Sequence, residues 1–330
     1  MTATLVRKLL RDVRPALIVV CVILFGFAAL WVKITQRVTS EIAPVFNSVA
    51  MFVGDKKLFE DVLFKGPGKV SQAALGWGDL NFERPTDFLA MSMLHPVVLV
   101  LAVVWSIGRA AGAVAGEIDR GTMELLLSQP IPRNRLIFAH LIVDCVAIPL
   151  ICLSLFAGVQ FGLAVAGDFI PDYAALKNLK GPNGQPIPFK FPDNPPPLEV
   201  KGVGQLPALT NTAAMMFALS GFTIALSAMG RSRWKVTGLS VLVVVVMFVG
   251  NTVGQLWEPA AFVRPLTAFF YYQPQKIMLD GNWFTDVGQG WNGGRPLLAV
   301  PTVGVLFAVG AIGYAVALRA FTKRDLPAPL

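Results

Sequence analysis

The stretch EIDRGTMELLLSQPIPRNRLIFAHL, residues 117–141, places a charged segment between two long apolar segments. It begins with two acids around one base, Glu117, Asp119 and Arg120, and ends with two prolines and two arginines. Charged side chains are costly inside a hydrocarbon core, so this segment should lie in the aqueous phase. We predict a short helix over residues 117–128, which the two prolines end.

The chain around this loop has the composition of a membrane protein. It has 330 residues, of which 55% are hydrophobic and 15% are charged, and its mean hydropathy is +0.62. A helix needs about 20 apolar residues to cross a bilayer. The sequence therefore predicts an all-α polytopic membrane protein with six transmembrane helices, and six segments meet the requirement: 15–32, 88–107, 141–166, 206–229, 236–257 and 296–318.

The distribution of lysine and arginine predicts the orientation. Residues 1–14, 109–135, 231–235 and 319–330 make up less than a fifth of the chain but contain 14 of its 28 lysines and arginines. Short basic segments stay in the cytoplasm, so both termini are predicted to lie there, in a cytoplasmic (inner) membrane. The basic balance thus reflects asymmetry across a lipid bilayer, and we predict no nucleic-acid partner.

The chain is predicted to divide into an interfacial helix at 1–14 and a six-span membrane domain at 15–330. Residues 1–14 have an apolar face and an arginine face, which indicates an interfacial helix; the alternative is merely a basic start to a membrane protein. Three large extracytoplasmic insertions are predicted at 33–87, 168–205 and 258–295, and the cytoplasmic loop is 109–135. We expect a helix of about 20 residues in the first insertion, a proline-rich strap or disordered loop in the second, and a short helical insertion in the third.

The sequence contains no recognisable catalytic motif. A phosphate-binding loop requires Ser or Thr after Gly-Lys, but Gly68 and Lys69 are followed by Val70. The two histidines, His95 and His140, lie in different predicted spans, and the three cysteines also lie in spans, without metal-ligand spacing. We therefore predict that the chain is not an enzyme and that it holds neither a metal nor a cofactor.

The order of residues in the 117–141 stretch carries a family resemblance. The stretch resembles the first cytoplasmic loop of ATP-binding-cassette (ABC) transporter permeases of the type 2 exporter class. The shared order is an acid, a spacer, Gly-Thr-x-Glu-Leu-Leu and then Pro-x-x-Arg. The resemblance implies that this loop is a coupling element that contacts an ATP-binding subunit, with contact residues Glu117, Gly121, Thr122, Glu124 and Arg133.

The same resemblance implies a division of labour between subunits. A separate ATP-binding subunit would bind and hydrolyse ATP with magnesium, and the permease, as a homodimer, would export a substrate across a prokaryotic membrane. The C-terminal sequence FTKRDLPAP, residues 321–329, resembles the basic tail of the family. One position departs from the pattern: many relatives have lysine where this chain has His140, after Ala139.

Asp144 is the one carboxylate well inside a predicted span. Its side chain must face protein or water, because insertion at the centre of a span costs about 2.5–3.5 kcal/mol. His140 lies four residues earlier on the same helical face and could pair with it, which would be a structural role. Alternatively, Asp144 lines a substrate path.

Two other functions compete with the ABC permease. An ion-gradient-driven secondary transporter usually concentrates ionisable residues near the midplane of repeated halves, and this chain has Asp144 alone and no evident halves. A non-transporting membrane scaffold would use the large insertions to bind an extracytoplasmic protein.

Overall fold

The computed structural model describes residues 2–45, 84–123, 132–177, 192–200, 204–288 and 295–324. The predicted all-α fold is confirmed, because six helical segments in these residues are long and apolar enough to cross a membrane. The helices are α1 (Thr2–Arg37), α2 (Pro85–Met91), α3 (Pro96–Ala111), α4 (Ala115–Asp119), α5 (Arg133–Ala166), α6 (Ala174–Lys177), α7 (Gln205–Met229), α8 (Arg233–Leu256), α9 (Ala268–Tyr271), α10 (Pro274–Asp280) and α11 (Thr302–Lys323). The spans are α1, α2 with α3, α5, α7, α8 and α11.

The first helix continues through the boundary expected at residue 14. An interfacial helix was predicted to end there, but α1 runs without interruption from Thr2 to Arg37 and contains Pro15. Proline removes one hydrogen bond of the helical ladder, and the bonds on either side keep the rest of the helix intact. The amphipathic residues 2–14 and the first span are therefore one rod.

The second span is interrupted where the sequence has histidine before proline. Helix α2 ends in a 3₁₀ turn at Ser92–Leu94, and α3 begins at Pro96. His95 has an extended backbone, as residues before proline prefer, and its Nδ1 accepts a hydrogen bond from the backbone N–H of Val97 at 3.2 Å. His95 therefore acts here as a helix cap.

Two helix pairs form the centre of the bundle, α1 with α5 and α7 with α11. Both pairs approach closely at glycines. A Cβ added at Gly158 of α5 would lie 2.4 Å from the carbonyl oxygen of Phe25, and one added at Gly221 of α7 would lie 2.2 Å from that of Gly310. Small residues at these positions let the backbones touch, as is common between membrane helices. Helix α7 also packs against α3, α5 and α10, so it is the central helix of the fold.

The predicted insertions are only partly described. Most of the first one, including most of its predicted helix, lies outside the described residues. In the second, the backbone N–H of Leu198 donates to Phe169 O at 2.8 Å, so the two ends of this insertion are joined. The third is helical, with a 3₁₀ segment at Glu258–Leu266 followed by α9 and α10. Its strand β1 (Phe284–Asp286) pairs antiparallel with β2 (Ala299–Pro301), which the sequence did not suggest. Because β2 lies where the last span was predicted to begin, at residue 296, helix α11 begins only at Thr302.

Candidate coupling site and buried ion-pair network

Helix α4 is shorter than the helix predicted over residues 117–128. It ends at Asp119, and Gly121 has a φ of +71°, in the left-handed region that favours glycine. The predicted uninterrupted helix is therefore wrong at residues 120–122, where the glycine signal outweighs helix propensity. We call residues 115–122 the coupling segment.

Three of the predicted contact residues meet in the coupling segment. The Glu117 carboxylate forms an ion pair with Arg120 and accepts a hydrogen bond from Thr122 Oγ1 at 2.5 Å. The backbone N–H of Thr122 donates to Glu117 O at 3.0 Å across the left-handed Gly121. Glu117, Gly121 and Thr122 thus form one compact turn, while Glu124 lies outside the described residues.

A buried serine joins the coupling segment to the central helix. Ser227 Oγ of α7 accepts hydrogen bonds from the backbone N–H groups of Val114 at 3.1 Å and Ala115 at 3.0 Å, and donates one to Ala111 O at 2.9 Å. One hydroxyl therefore satisfies two donors at the start of α4 and one acceptor at the end of α3. Nothing in the sequence singled out this serine, which looks like an ordinary small polar residue in a span.

Arg133 lies apart from the Glu117 turn and contacts the end of the last span. Its Nη1 donates to Arg324 O at 2.5 Å, and Arg324 Nη1 donates to Ala228 O and Gly230 O at 2.8 and 2.9 Å. Burial, followed by the nearby charge of Arg231, lowers the pKa of the Arg324 guanidinium. The start of α5, the end of α11 and the turn between α7 and α8 are therefore connected on one face.

Asp144 is completely buried and its ion-pair partner is Arg109. Tyr314 Oη donates to the same carboxylate oxygen, and Arg109 Nη2 donates to Tyr314 Oη at 3.3 Å. The suggested partner His140 instead contacts Arg109, with its Nδ1 3.1 Å from Nη1. Because arginine only donates, His140 Nδ1 is the acceptor and the ring proton is on Nε2.

This network corrects the position assigned to Arg109. The sequence placed it at the start of the cytoplasmic loop, but it lies within α3 and its side chain is only 6% exposed. The network joins three spans, α3, α5 and α11. Neither Arg109 nor Tyr314 was singled out, although an isolated buried carboxylate calls for a cation at the same depth.

A cavity of about 720 Å³ lies between the network and the coupling segment. Lys8 and Asp12 of α1 line one side, and Glu117 and Thr122 line another. Arg109 also lines the cavity, whereas Asp144 does not.

Comparison with known proteins gives one family. The family model described as ABC-2 family transporter protein matches residues 6–182, more than half of the chain. The chain belongs to the ABC-2 transporter family. No curated protein and no solved structure matches it.

Membership in the ABC-2 family confirms the resemblance inferred from the loop. Together with the six apolar helices, it also confirms that the chain is a multi-pass membrane protein of the permease type. The matched region contains the coupling segment, Arg109 and Asp144. Ser227, Tyr314 and Arg324 lie beyond it, so the second half of this ABC-2 chain supplies groups that hold the matched half in place.

Replacing Ser227 with alanine should lower the free energy of unfolding of this ABC-2 protein by about 2–4 kcal/mol, because two buried N–H groups lose their acceptor. Ser220→Ala is the matched control: Ser220 lies on the same helix, is equally buried, and its hydroxyl has no hydrogen-bond partner among the described residues. It should change stability by less than about 1 kcal/mol. Unfolding in a denaturing-detergent titration measures both, and equal effects would contradict the role assigned to Ser227.

Proposed function

We propose that this chain is the permease subunit of an ABC exporter, and that a separate subunit binds and hydrolyses ATP with magnesium. Two facts support the division of labour: the chain belongs to the ABC-2 family, and its sequence contains no phosphate-binding loop. Its part is to provide the path through the membrane and to transmit the movement of the partner.

The observation that carries this proposal is the attachment of the coupling segment to the bundle. Ser227 fixes the start of α4 to α7, and α7 packs against four other spans. The Glu117 turn closes the other end of α4. A force applied to this compact turn therefore reaches the central helix through direct hydrogen bonds. A flexible loop could not transmit that force.

The proposed contact set for the ATP-binding subunit is Glu117, Gly121, Thr122, Glu124 and Arg133. The first three form the compact turn, and Arg133 contributes through the neighbouring connection to Arg324. For Asp144, the geometry favours a structural role, because Arg109 and Tyr314 both bind it and it does not reach the cavity.

The proposed assembly is a homodimer of permeases with two ATP-binding subunits in a prokaryotic cytoplasmic membrane, with both termini in the cytoplasm. The concentration of basic residues at 1–14, 109–135, 231–235 and 319–330 supports this orientation. The large insertions at 33–87, 168–205 and 258–295 would then face outward, where an extracytoplasmic protein can reach them.

Glu117→Arg tests the coupling role. The substitution removes the acceptor of Thr122 and places two arginines side by side, so the turn should open and the ATPase rate should fall to that of the ATP-binding subunit alone. Asp119→Arg is the matched control, because Asp119 is exposed, belongs to the same helix and makes none of these contacts. It should retain most of the stimulation.

The measurement is ATP hydrolysis by the co-purified complex in lipid nanodiscs, with membrane insertion checked by yield and elution profile. Unchanged co-purification and ATPase rate in Glu117→Arg would show that the segment does not couple the subunits. Transport that survives ATP depletion but collapses with the proton gradient would favour a secondary transporter instead.

A further inference from the structure

The cavity beside the coupling segment has the size of a ligand site. Its volume of about 720 Å³ falls within the ~300–1,000 Å³ range of typical small-molecule pockets. Its walls come from α1, α3, α5, α8 and the coupling segment, so a molecule bound there touches both the first span and the coupling segment.

The charges in the cavity wall do not cancel. Four cations line it, and two of them are neutralised, Arg109 by Asp144 and Arg120 by Glu117. In the part of the chain that the structure describes, the other two, Lys8 and Arg233, form no ion pair, and Asp12 is the single unpaired acid facing them. The unpaired charges leave a net positive cavity, which favours an anion.

The fold holds one of these free cations in place. Arg233 Nη2 donates to Gly108 O at 3.2 Å, and the side chain lies along α3 and α4. It passes over Gly112 and Gly116, where an added Cβ would be 3.7 Å from Nε and 3.5 Å from Cδ. The two glycines thus provide the surface on which the guanidinium rests at the cavity wall.

Arg109 closes the inner end of the cavity. Its side chain is nine-tenths buried and its Nη atoms bind Asp144, Tyr314 and His140, while its Nε is buried and has no acceptor among the described residues. A molecule in the cavity therefore meets a guanidinium whose charge Asp144 already balances. The unbalanced positive charge of the wall lies on Lys8 and Arg233.

We propose that this cavity binds an oxyanion of the phosphate type, with Lys8 and Arg233 balancing its charge. The headgroup of an anionic phospholipid and free phosphate share this chemistry. The position of the cavity relative to the membrane rests on the proposed function: if the coupling segment is cytoplasmic, the cavity lies at the level of the anionic inner leaflet. A bound anion would then bridge α1 and the coupling segment and regulate the stiffness of that connection.

The test measures the midpoint of thermal unfolding of the full-length chain, purified alone in a nonionic detergent. The probes are dioctanoyl phosphatidylglycerol, dioctanoyl phosphatidylcholine and inorganic phosphate, with chloride matching the ionic strength. At saturation, phosphatidylglycerol should raise the midpoint by ~4 °C, and phosphatidylcholine should not.

Substitutions on α1 distinguish binding in the cavity from nonspecific attraction to the positive surface. Lys8→Gln should weaken the apparent affinity for the anionic probe about tenfold, and Asp12→Asn, which removes the opposing charge, should strengthen it. Arg7→Gln and Arg11→Gln are matched controls, because both arginines are exposed on the same helix and neither lines the cavity. Arg233→Gln should resemble Lys8→Gln, and if it fails to fold, the α1 variants still decide the outcome.

Each result supports or overturns the proposal. A shift with phosphatidylglycerol alone identifies a lipid headgroup, and an equal shift with inorganic phosphate identifies a soluble oxyanion. An equal shift with phosphatidylcholine, no shift with either anion, or equal effects of Lys8→Gln and Arg11→Gln would overturn it. Because no ATP-binding subunit is present, failure here is distinct from failure of the Glu117→Arg experiment.

Discussion

Replacing Arg109 with leucine is expected to lower the free energy of unfolding by about 3–5 kcal/mol, because it leaves a fully buried carboxylate without its cation. Tyr314 alone would remain to stabilise Asp144. The substitution would weaken the contact among three spans, since α3 contributes Arg109, α5 contributes Asp144 and α11 contributes Tyr314. Unfolding of the purified protein in a denaturing-detergent titration measures the change.

Two further variants show whether burial is the cause. The double variant Arg109→Leu/Asp144→Leu should recover most of the loss, because replacing a buried ion pair with apolar residues is often close to neutral. Arg120→Leu breaks the more exposed pair with Glu117, whose side chains are 55% and 21% exposed, and should cost less than about 1 kcal/mol. A loss in Arg109→Leu no greater than that in Arg120→Leu would contradict the network described here.

Gly221→Ala is expected to cost about 3 kcal/mol, the upper end of the range for overpacking, because the obstacle is backbone and not a flexible side chain. The new Cβ would lie 2.2 Å from Gly310 O and 2.7 Å from Gly310 Cα. On the other side of the contact, a Cβ at Gly313 would lie 2.3 Å from the backbone of Gly221. Helices α7 and α11 must therefore move apart to accept the methyl group.

Gly238→Ala is the matched control, since Gly238 is inside α8 and no described residue lies within 4 Å of the added Cβ. Here alanine should stabilise the helix by about 0.5–1 kcal/mol through backbone entropy. The two single-methyl changes thus have opposite predicted signs in the same unfolding experiment. Equal responses would show that the α7–α11 contact is looser than described.

Hydropathy and local signals were sufficient for the architecture but not for the polar contacts. The six spans follow from the lengths of apolar segments, a property of neighbouring residues. Arg109 was assigned to the loop because a charge ends an apolar window in a one-dimensional analysis. Its burial depends on Asp144 and on Tyr314, 205 residues away, so only the packed bundle reveals it.

The coupling segment shows both outcomes at short range. A continuous helix was predicted over residues 117–128, and its compact turn was missed. Local signals could have indicated that turn, because Glu117 and Thr122 are close in sequence and Gly121 is the residue that a left-handed backbone favours. The end of α4 could have been predicted from the same glycine. Its attachment through Ser227 could not, because a serine in an apolar helix gives no indication of which backbone it will meet.

The order of the helix pairs along the chain has a consequence for biogenesis. The α1–α5 pair is complete once the ribosome has released residue 166, whereas α7 waits for α11, at the end of the chain, before its glycine face is covered. Until then its buried polar side chains, Ser220 and Thr223 among them, face lipid or neighbouring insertase helices. Nascent chains stalled before residue 302 should therefore be the ones that depend most on membrane chaperones.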